Sequence, residues 1–339
     1  MIKIRSLGKI LEPRDNDFER GGVLNPACVV KDGITHMFYR AVDEKRASTI
    51  GYCQLKENQI ISRMNKPLLT PEYDFEREGL EDPRITYLDG IYYMFYTAFD
   101  GLNARIAYAT SDDLIDFKKR GLISPSITYD LAEDIFFESV KHKHRYSFFE
   151  KLFKSVNGEK IMLWEKDASL FPKKFNGKYA LFHRVLPGIQ ICYFEDFEEL
   201  KNQNYWANYL TNLNEKIVLD PCGPLEKAYI GGGCTPILTE EGWLIIYHAV
   251  DVNRGKRVYR ASAALLDKDN PQKVIGRLKS PLFEPQEEWE TDGVVDNVVF
   301  PTGAAISGKM VYIYYGAADT VIGGKAVEIK SLIDELVKQ

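Results

Sequence analysis

With 339 residues, 45% hydrophobic and 12% aromatic, the chain can bury a large core, and its 20 Tyr and 18 Phe suit a β-rich globular protein, excluding disorder as its main state. A formal charge of −5 argues against a general affinity for nucleic acid or anionic membrane. The absence of a signal-peptide core or any apolar run of about 18 residues predicts a cytoplasmic protein, and five cysteines without a C-x-x-C pair predict reduced core thiols.

In chain order the elements form a repeat. PACVVKD (26–32) leads through Gly33 to MFYRAVD (37–43) and IGYCQL (50–55); RITYLD (84–89) leads through Gly90 to MFYTAFD (94–100) and RIAYATS (105–111). The same succession returns as SLFPKKF, Gly177, LFHRVLP (181–187) and IQICYFED, then as TPILTE, Gly242, IIYHAVD (245–251) and RASAALLD. A last copy reads FPTGAAIS, Gly308, IYYGAAD (313–319) and KAVEIKS. Each copy is an antiparallel meander of at least three strands joined by tight turns. Sheets repeated in this way bury both faces by packing radially, which predicts an all-β, five-bladed β-propeller formed by residues 1–339 as a single domain; a β-sandwich seldom repeats one motif so often.

Two segments leave the repeat. Residues 130–156, with Ile135, Phe136, Val140, Phe148, Phe149, Leu152, Phe153 and Val156, predict an amphipathic helical insertion between blades two and three. The tail VEIKSLIDELVKQ predicts a short C-terminal helix. Either one clasps a blade or contacts a second subunit, so a homo-oligomer is possible.

In such a propeller the first strands converge at one end of the axis, bringing together Asn25, Asp82, Lys166 with Asp167, Gly231–Gly233 and Asn297. G-x-S-x-G, H-E-x-x-H, Walker and dinucleotide signatures are absent. The GGG run suits close backbone approach at a crowded axis. His142 and His144 suit a solvated basic helix face better than a metal pair, so neither metal nor cofactor is expected. The groups left at strand ends are Asp82, Arg84, Arg40, Arg46, Lys166, Asp167, Arg184, Tyr229, Tyr247, His248 and Asp319, a mixture suited to gripping sugar hydroxyls. Asp82 is then either a working acid or merely the ion-pair partner of Arg84.

The blocks NPACVV, EDPR, KDASLFPKKFNGKYALFHR, GGGCTPILTEEGWLIIYH, AALLDKDNPQKVIGR, PLFEPQEEWE, NVVFPTGAA and YYGAAD, in this order, resemble family 130 of the glycoside hydrolases. That family comprises β-mannoside phosphorylases and related β-mannosidases, and its members are five-bladed propellers. The resemblance spans the chain except residues 130–156 and implies that Asp82 is the single catalytic acid, acting through a sugar hydroxyl. Phosphate would meet Lys166, Arg184 and Tyr229, where the phosphorylases have Arg, Arg and Lys; Asp167 stands where Asn is common. Asn25, Arg40, Arg46, Asp167, Tyr247, His248 and Asp319 would contact sugar. Tyr247, however, shares a repeat column with Tyr39 and Tyr96 and could simply pack, while Asp319 shares one with Asp43, Asp100 and Asp251.

The function so implied is inverting phosphorolysis of non-reducing β-mannosides, by overall likeness β-1,2-linked, with inorganic phosphate as co-substrate. An inverting β-1,2-mannosidase is the alternative; it needs a second carboxylate about 6.5–9.5 Å from the acid to activate water, for which Glu226 and Asp167 are candidates. A sugar-binding propeller without activity is the third possibility. The missing signal peptide favours the phosphorylase, because phosphorolysis inside a cell conserves the bond energy as a sugar phosphate.

Overall fold

The structure is a computed structural model that describes residues 2–138, 146, 161–253 and 255–338. Its strands are β1 (Ile4–Leu11), β2 (Gly22–Lys31), β3 (Ile34–Val42), β4 (Ser48–Lys56), β5 (Gln59–Arg63), β6 (Gly79–Leu88), β7 (Ile91–Phe99), β8 (Ala104–Ser111) and β9 (Lys118–Leu122). Helix α1 (Tyr129–Glu138) precedes β10 (Lys166–Leu170), β11 (Tyr179–Arg184) and β12 (Ile189–Phe194). Helix α2 (Gln203–Thr211) leads to β13 (Ile217–Leu219), β14 (Tyr229–Gly232), β15 (Ile237–Leu238), β16 (Trp243–Asn253), β17 (Lys256–Leu266) and β18 (Val274–Arg277). The helical turn α3 (Glu288–Thr291), β19 (Val299–Ser307), β20 (Met310–Ala317), β21 (Val321–Glu328) and α4 (Ile329–Val337) complete the chain.

The fold is all-β with few helices. Strands pair antiparallel as consecutive meanders, β2–β5, β6–β9, β10–β13 and β14–β18, while β19–β21 are completed by β1, which returns to pair Ile4 with Val327. A single parallel bridge, Ser48 to Gly79, joins the first two meanders into one continuous sheet. Turn chemistry explains the tight connections: Asp32-Gly33, Asp89-Gly90 and Asn176-Gly177 all have both φ angles positive, the hairpin geometry that matches strand twist. The apolar core lies between successive meanders. Phe38 and Met94 pack between the first two, Phe95 and Leu181 between the next, Phe182 and Trp243 beyond that, Ile246 and Ile313 further on, and Tyr314 with Met37 between the last and the first. The first strands also touch in succession, β19 on β2, β2 on β6, β6 on β10 and β10 on β14.

Helix α1 falls in the predicted insertion and carries Ile135 and Phe136, but Val140, His142, His144, Phe148, Phe149, Leu152, Phe153 and Val156 lie outside the described residues. Helix α2 has no counterpart in the repeat reading. Asn202 caps it by accepting from the Asn204 N–H, and it packs on α1 with Trp206, Tyr209 and Leu210 buried. The tail helix α4 clasps the fourth meander, seating Leu332, Ile333 and Leu336 against β17 and β18. Among the cysteines, Cys222 departs from expectation by being exposed; the other four are buried thiols. No described helix is long and apolar enough to cross a membrane.

A buried polar latch accounts for one column of the repeat. The Tyr39 hydroxyl donates to Glu19, which Arg63 also holds; Tyr96 donates to Glu76, paired with Lys119; Tyr247 donates to Glu226, paired with Arg277; Tyr315 donates to Glu290, paired with Lys325. In the third meander His183 takes the tyrosine's place, with Nδ1 2.9 Å from Glu165 and Nε2 2.6 Å from the Tyr209 hydroxyl. Every one of these glutamates is buried, and burial pushes the tyrosine hydroxyls far from ionisation. Each tyrosine latch ties the segment that enters a first strand to two later strands of the same sheet, and the His183 latch reaches helix α2 instead. Removing the carboxylate takes from a buried cation its nearest counter-ion, as Glu76 is for Lys119 at 2.6 Å, whereas removing the hydroxyl leaves the ion pair intact. Glu76→Ala should therefore cost about 3–5 kcal/mol and Tyr96→Phe only about 1–2 kcal/mol in urea unfolding; equal costs would contradict the latch.

Candidate active site

The site is built on irregular points of the first strands. Asn25, Asp82 and Asp167 have φ of 48°, 51° and 60°, each where the strand register breaks: between Leu24 and Ala27, Glu81 and Arg84, and Lys166 and Ser169. Asn and Asp are the non-glycine residues that visit this left-handed region most readily, and a bulge sets two residues against one, re-aiming a side chain that strict alternation would send elsewhere. Asn297, just ahead of β19, has φ 59°.

These bulges bring three meanders together. Asp82 Oδ1 accepts from Asn25 Nδ2 at 2.7 Å and lies 3.7 Å from Arg40 Nη1. Arg40 donates to Glu81 at 2.8 Å and, through Nε, to Ser48 Oγ at 2.8 Å; Lys166 Nζ donates to the other Glu81 oxygen at 3.1 Å. Burial disfavours the Glu81 anion, yet Arg40 and Lys166 outweigh it and pull its pKa down to about 2. Asp82 thus sits beside a carboxylate that stays charged and bridges two cations.

Arg84 does not pair with the Asp82 carboxylate, so the plain ion-pair reading of EDPR is overturned. Only 1% exposed, its guanidinium donates to the backbone oxygens of Asp82 (2.7 Å), Gly233 (2.5 Å) and Gly232 (3.2 Å), and Nη2 lies 3.5 Å from Asp167. Arg184 Nη1 approaches the other Asp167 oxygen at 3.0 Å and His248 Nε2 at 3.0 Å, over the ring of Tyr229. The Tyr229 hydroxyl is 2.5 Å from that of Tyr259. Gly231 faces this cluster because nothing larger fits: a Cβ there would come 2.4 Å from both Asp167 Oδ2 and His248 Cε1.

Two expected sugar contacts, Tyr247 and His248, lie fully buried among protein partners. Tyr247 is fully buried in the latch with Glu226 and Arg277 and points away from the cluster, since adjacent strand residues face opposite ways and His248 takes the inner face. His248 is itself fully buried and backs Arg184; burial first, then Arg184 and Arg84, drive its pKa well down and keep the ring neutral. Glu226, a candidate base for water, is removed from the site by the same latch. Asp167 is engaged by Arg84 and Arg184.

Arg46 lies exposed in the turn after β3, and its charge reaches Asp319. Asp43 and Asp100 accept from backbone N–H groups of their own turns, as their shared column suggested, but no such bond is made by Asp319, which lies in the electrostatic reach of Arg40 and Asp82. Sequence reasoning missed Glu81, Tyr259 and Phe300. Glu81 adjoins Asp82 and reaches the site only because of the bulge, while Phe300 stacks on His248 with ring centroids 4.3 Å apart. Among the described residues, no three His, Cys, Asp or Glu side chains are grouped to hold a metal ion.

Three comparisons bear on this geometry. The family model described as β-1,4-mannooligosaccharide phosphorylase, glycoside hydrolase family 130, matches residues 11–338. A 1,2-β-oligomannan phosphorylase from Thermoanaerobacter sp. is 38% identical over 346 residues, covering 98% of this chain and 99% of the relative; a β-1,2-mannobiose phosphorylase from the same organism is 37% identical, covering 94% of each. In fold the chain is similar to the solved complex of a Listeria innocua β-1,2-mannobiose phosphorylase with β-1,2-mannobiose, at 22% identity and a TM-score of 0.74 over 99% of this chain and 100% of the other. With a family match that runs nearly end to end, the chain belongs to glycoside hydrolase family 130.

Proposed function

We propose that the protein is an inverting β-mannoside phosphorylase that splits β-1,2-linked manno-oligosaccharides with inorganic phosphate, releasing α-mannose 1-phosphate and a shortened acceptor. One observation carries the reading: Asp82 adjoins a cluster of cations, while of the two carboxylates a hydrolase could use, Glu226 is locked in a buried latch and Asp167 is engaged by Arg84 and Arg184. The named relatives act in the same sense. A five-bladed propeller is the architecture we infer; successive contacts among first strands and the core shared by the last and first meanders support it. A cytoplasmic location is consistent with buried, unpaired thiols.

In this mechanism Asp82 delivers a proton to the leaving glycosidic oxygen, through a sugar hydroxyl, while phosphate attacks C1 from the opposite side. The C1–oxygen bond to the acceptor breaks and a C1–oxygen bond to phosphate forms; the proton given up as hydrogen phosphate becomes the ester balances the one delivered. Lys166, Arg184 and the Tyr229 hydroxyl hold the nucleophile, with Asp167 beside Arg184, and Asn25, Arg40, Arg46 and Asp319 line the sugar's side of the pocket. Phosphate arrives already charged, so no second base, metal or cofactor enters the scheme. The role of Glu81 is electrostatic: permanently ionised, it keeps Arg40 and Lys166 in place beside the acid.

Incubation with β-1,2-mannobiose should yield mannose 1-phosphate only when phosphate is present; free mannose released without phosphate would establish the hydrolase, and binding without turnover a lectin. Asp82→Asn should lower kcat by about 10²–10⁴-fold with unfolding unchanged, and near-normal turnover would remove Asp82 from the acid's role. Asp319 supplies a pH signature. Burial raises its pKa to about 6, with Arg40 opposing and Asp82 adding to the rise. Its protonated form is favoured in the folded state, so this contribution is complete below about pH 4 and is lost as pH rises through 6. Asp319→Asn should accordingly be more stable than wild type by about 1–2 kcal/mol at pH 7.5, with the gap closing by pH 4 in urea titrations.

A further inference from the structure

Resting on the phosphorylase reading, we infer that Asp167 is an internal counter-ion that sets how tightly phosphate binds, occupying the guanidinium that phosphate must share. The charges around it divide cleanly. Arg40 and Lys166 are engaged by Glu81, whereas Arg84 and Arg184, the guanidiniums that Glu81 does not engage, both approach Asp167, at 3.5 and 3.0 Å. Neutral His248 adds no charge at 3.9 Å from Asp167 Oδ2. An arriving phosphate therefore meets guanidiniums that a carboxylate already faces, at 3.5 Å from Arg84 and 3.0 Å from Arg184.

Asp167 has little freedom to yield. It is 4% exposed, its backbone sits in the left-handed bulge, and Oδ2 occupies the space that the missing Cβ of Gly231 leaves open. A phosphate held by Arg184 consequently lies within about 5 Å of a carboxylate, and like charges at that distance in an effective dielectric near 20 weaken binding by roughly tenfold or more. The same repulsion acts on the phosphoryl group of the product, so the device trades substrate affinity for faster release of mannose 1-phosphate. Asn at this position would keep the shape and remove the charge.

The test is steady-state kinetics of Asp167→Asn and wild type with β-1,2-mannobiose, varying phosphate, and in reverse with mannose 1-phosphate and mannose. The inference expects the KM for phosphate and that for mannose 1-phosphate to fall by about tenfold or more, with the KM for mannobiose moving less than about twofold. An unchanged or higher KM for phosphate in a folded variant overturns it and returns Asp167 to a plain sugar or structural contact. Should Asp167→Asn not fold, Asp167→Ser removes the same charge with a smaller side chain and is judged by the same criterion. Wild-type turnover that ignores phosphate would overturn the phosphorylase reading itself, which the wild-type arm registers independently of either variant.

Discussion

The arrangement depends on Arg84, a guanidinium buried where the second, third and fourth meanders meet. It donates to carbonyl oxygens of the Asp82 bulge and of the Gly232–Gly233 strand and faces the Asp167 carboxylate. Burial lowers its pKa from the ordinary arginine value, a sign of how much hydration it has lost, and backbone oxygens with one carboxylate replace that hydration. Because one of those oxygens belongs to the Asp82 bulge and the others to the neighbouring Gly232–Gly233 strand, Arg84 ties the backbone that aims Asp82 to the fourth meander while facing the Asp167 carboxylate. The residue that looked like the acid's ion-pair partner instead secures its geometry and leaves its carboxylate to Asn25 and Arg40.

The site shows how a sheet escapes its own alternation. In a regular strand Glu81 and Asp82 would face opposite sides, as Tyr247 and His248 do. The left-handed residue in the bulge lets both carboxylates reach Arg40, and the recurrence of this irregularity at Asn25 and Asp167 gives one mouth a ring of polar side chains. The neighbouring column is spent on stability: its tyrosines and His183 close latches around buried glutamates, behind the site and out of contact with it. Charge is handled in the same divided way, with Glu81 engaging Arg40 and Lys166 and Asp167 facing Arg84 and Arg184.

Much of this was legible in the residues. The repeated strand-turn-strand pattern, with Asp-Gly and Asn-Gly at its turns, announced antiparallel meanders, because alternation and turn chemistry are local and survive without knowledge of partners. The strand starts Asn25, Asp82 and Lys166–Asp167 were identified as converging, and the Gly231–Gly233 run as a place of close approach, which Gly231 proves to be. The packing alternative for Tyr247 was legible in its tyrosine column, and its hydroxyl lies in the latch with Glu226 and Arg277. Helix α2 escaped notice because its residues Trp206, Tyr209 and Leu210 are meaningful only against distant partners, α1 and the His183 strand.

The sequence by itself determined the strands, their tight turns, the repeat and the short list of groups able to do acid and anion chemistry, since these follow from periodicity and side-chain type. Tertiary structure alone decided which of those groups meet. Whether a given strand residue faces the site or the core depends on which face its sheet buries and on where a bulge inverts the alternation, and the partner that fixes each charge lies up to 149 residues away, as for Arg84 and Gly233. Coulomb and hydrogen-bond energies fall off within a few ångströms, so the roles of Arg84, Glu81, Asp167 and Tyr247 became definite only when folding set those distances.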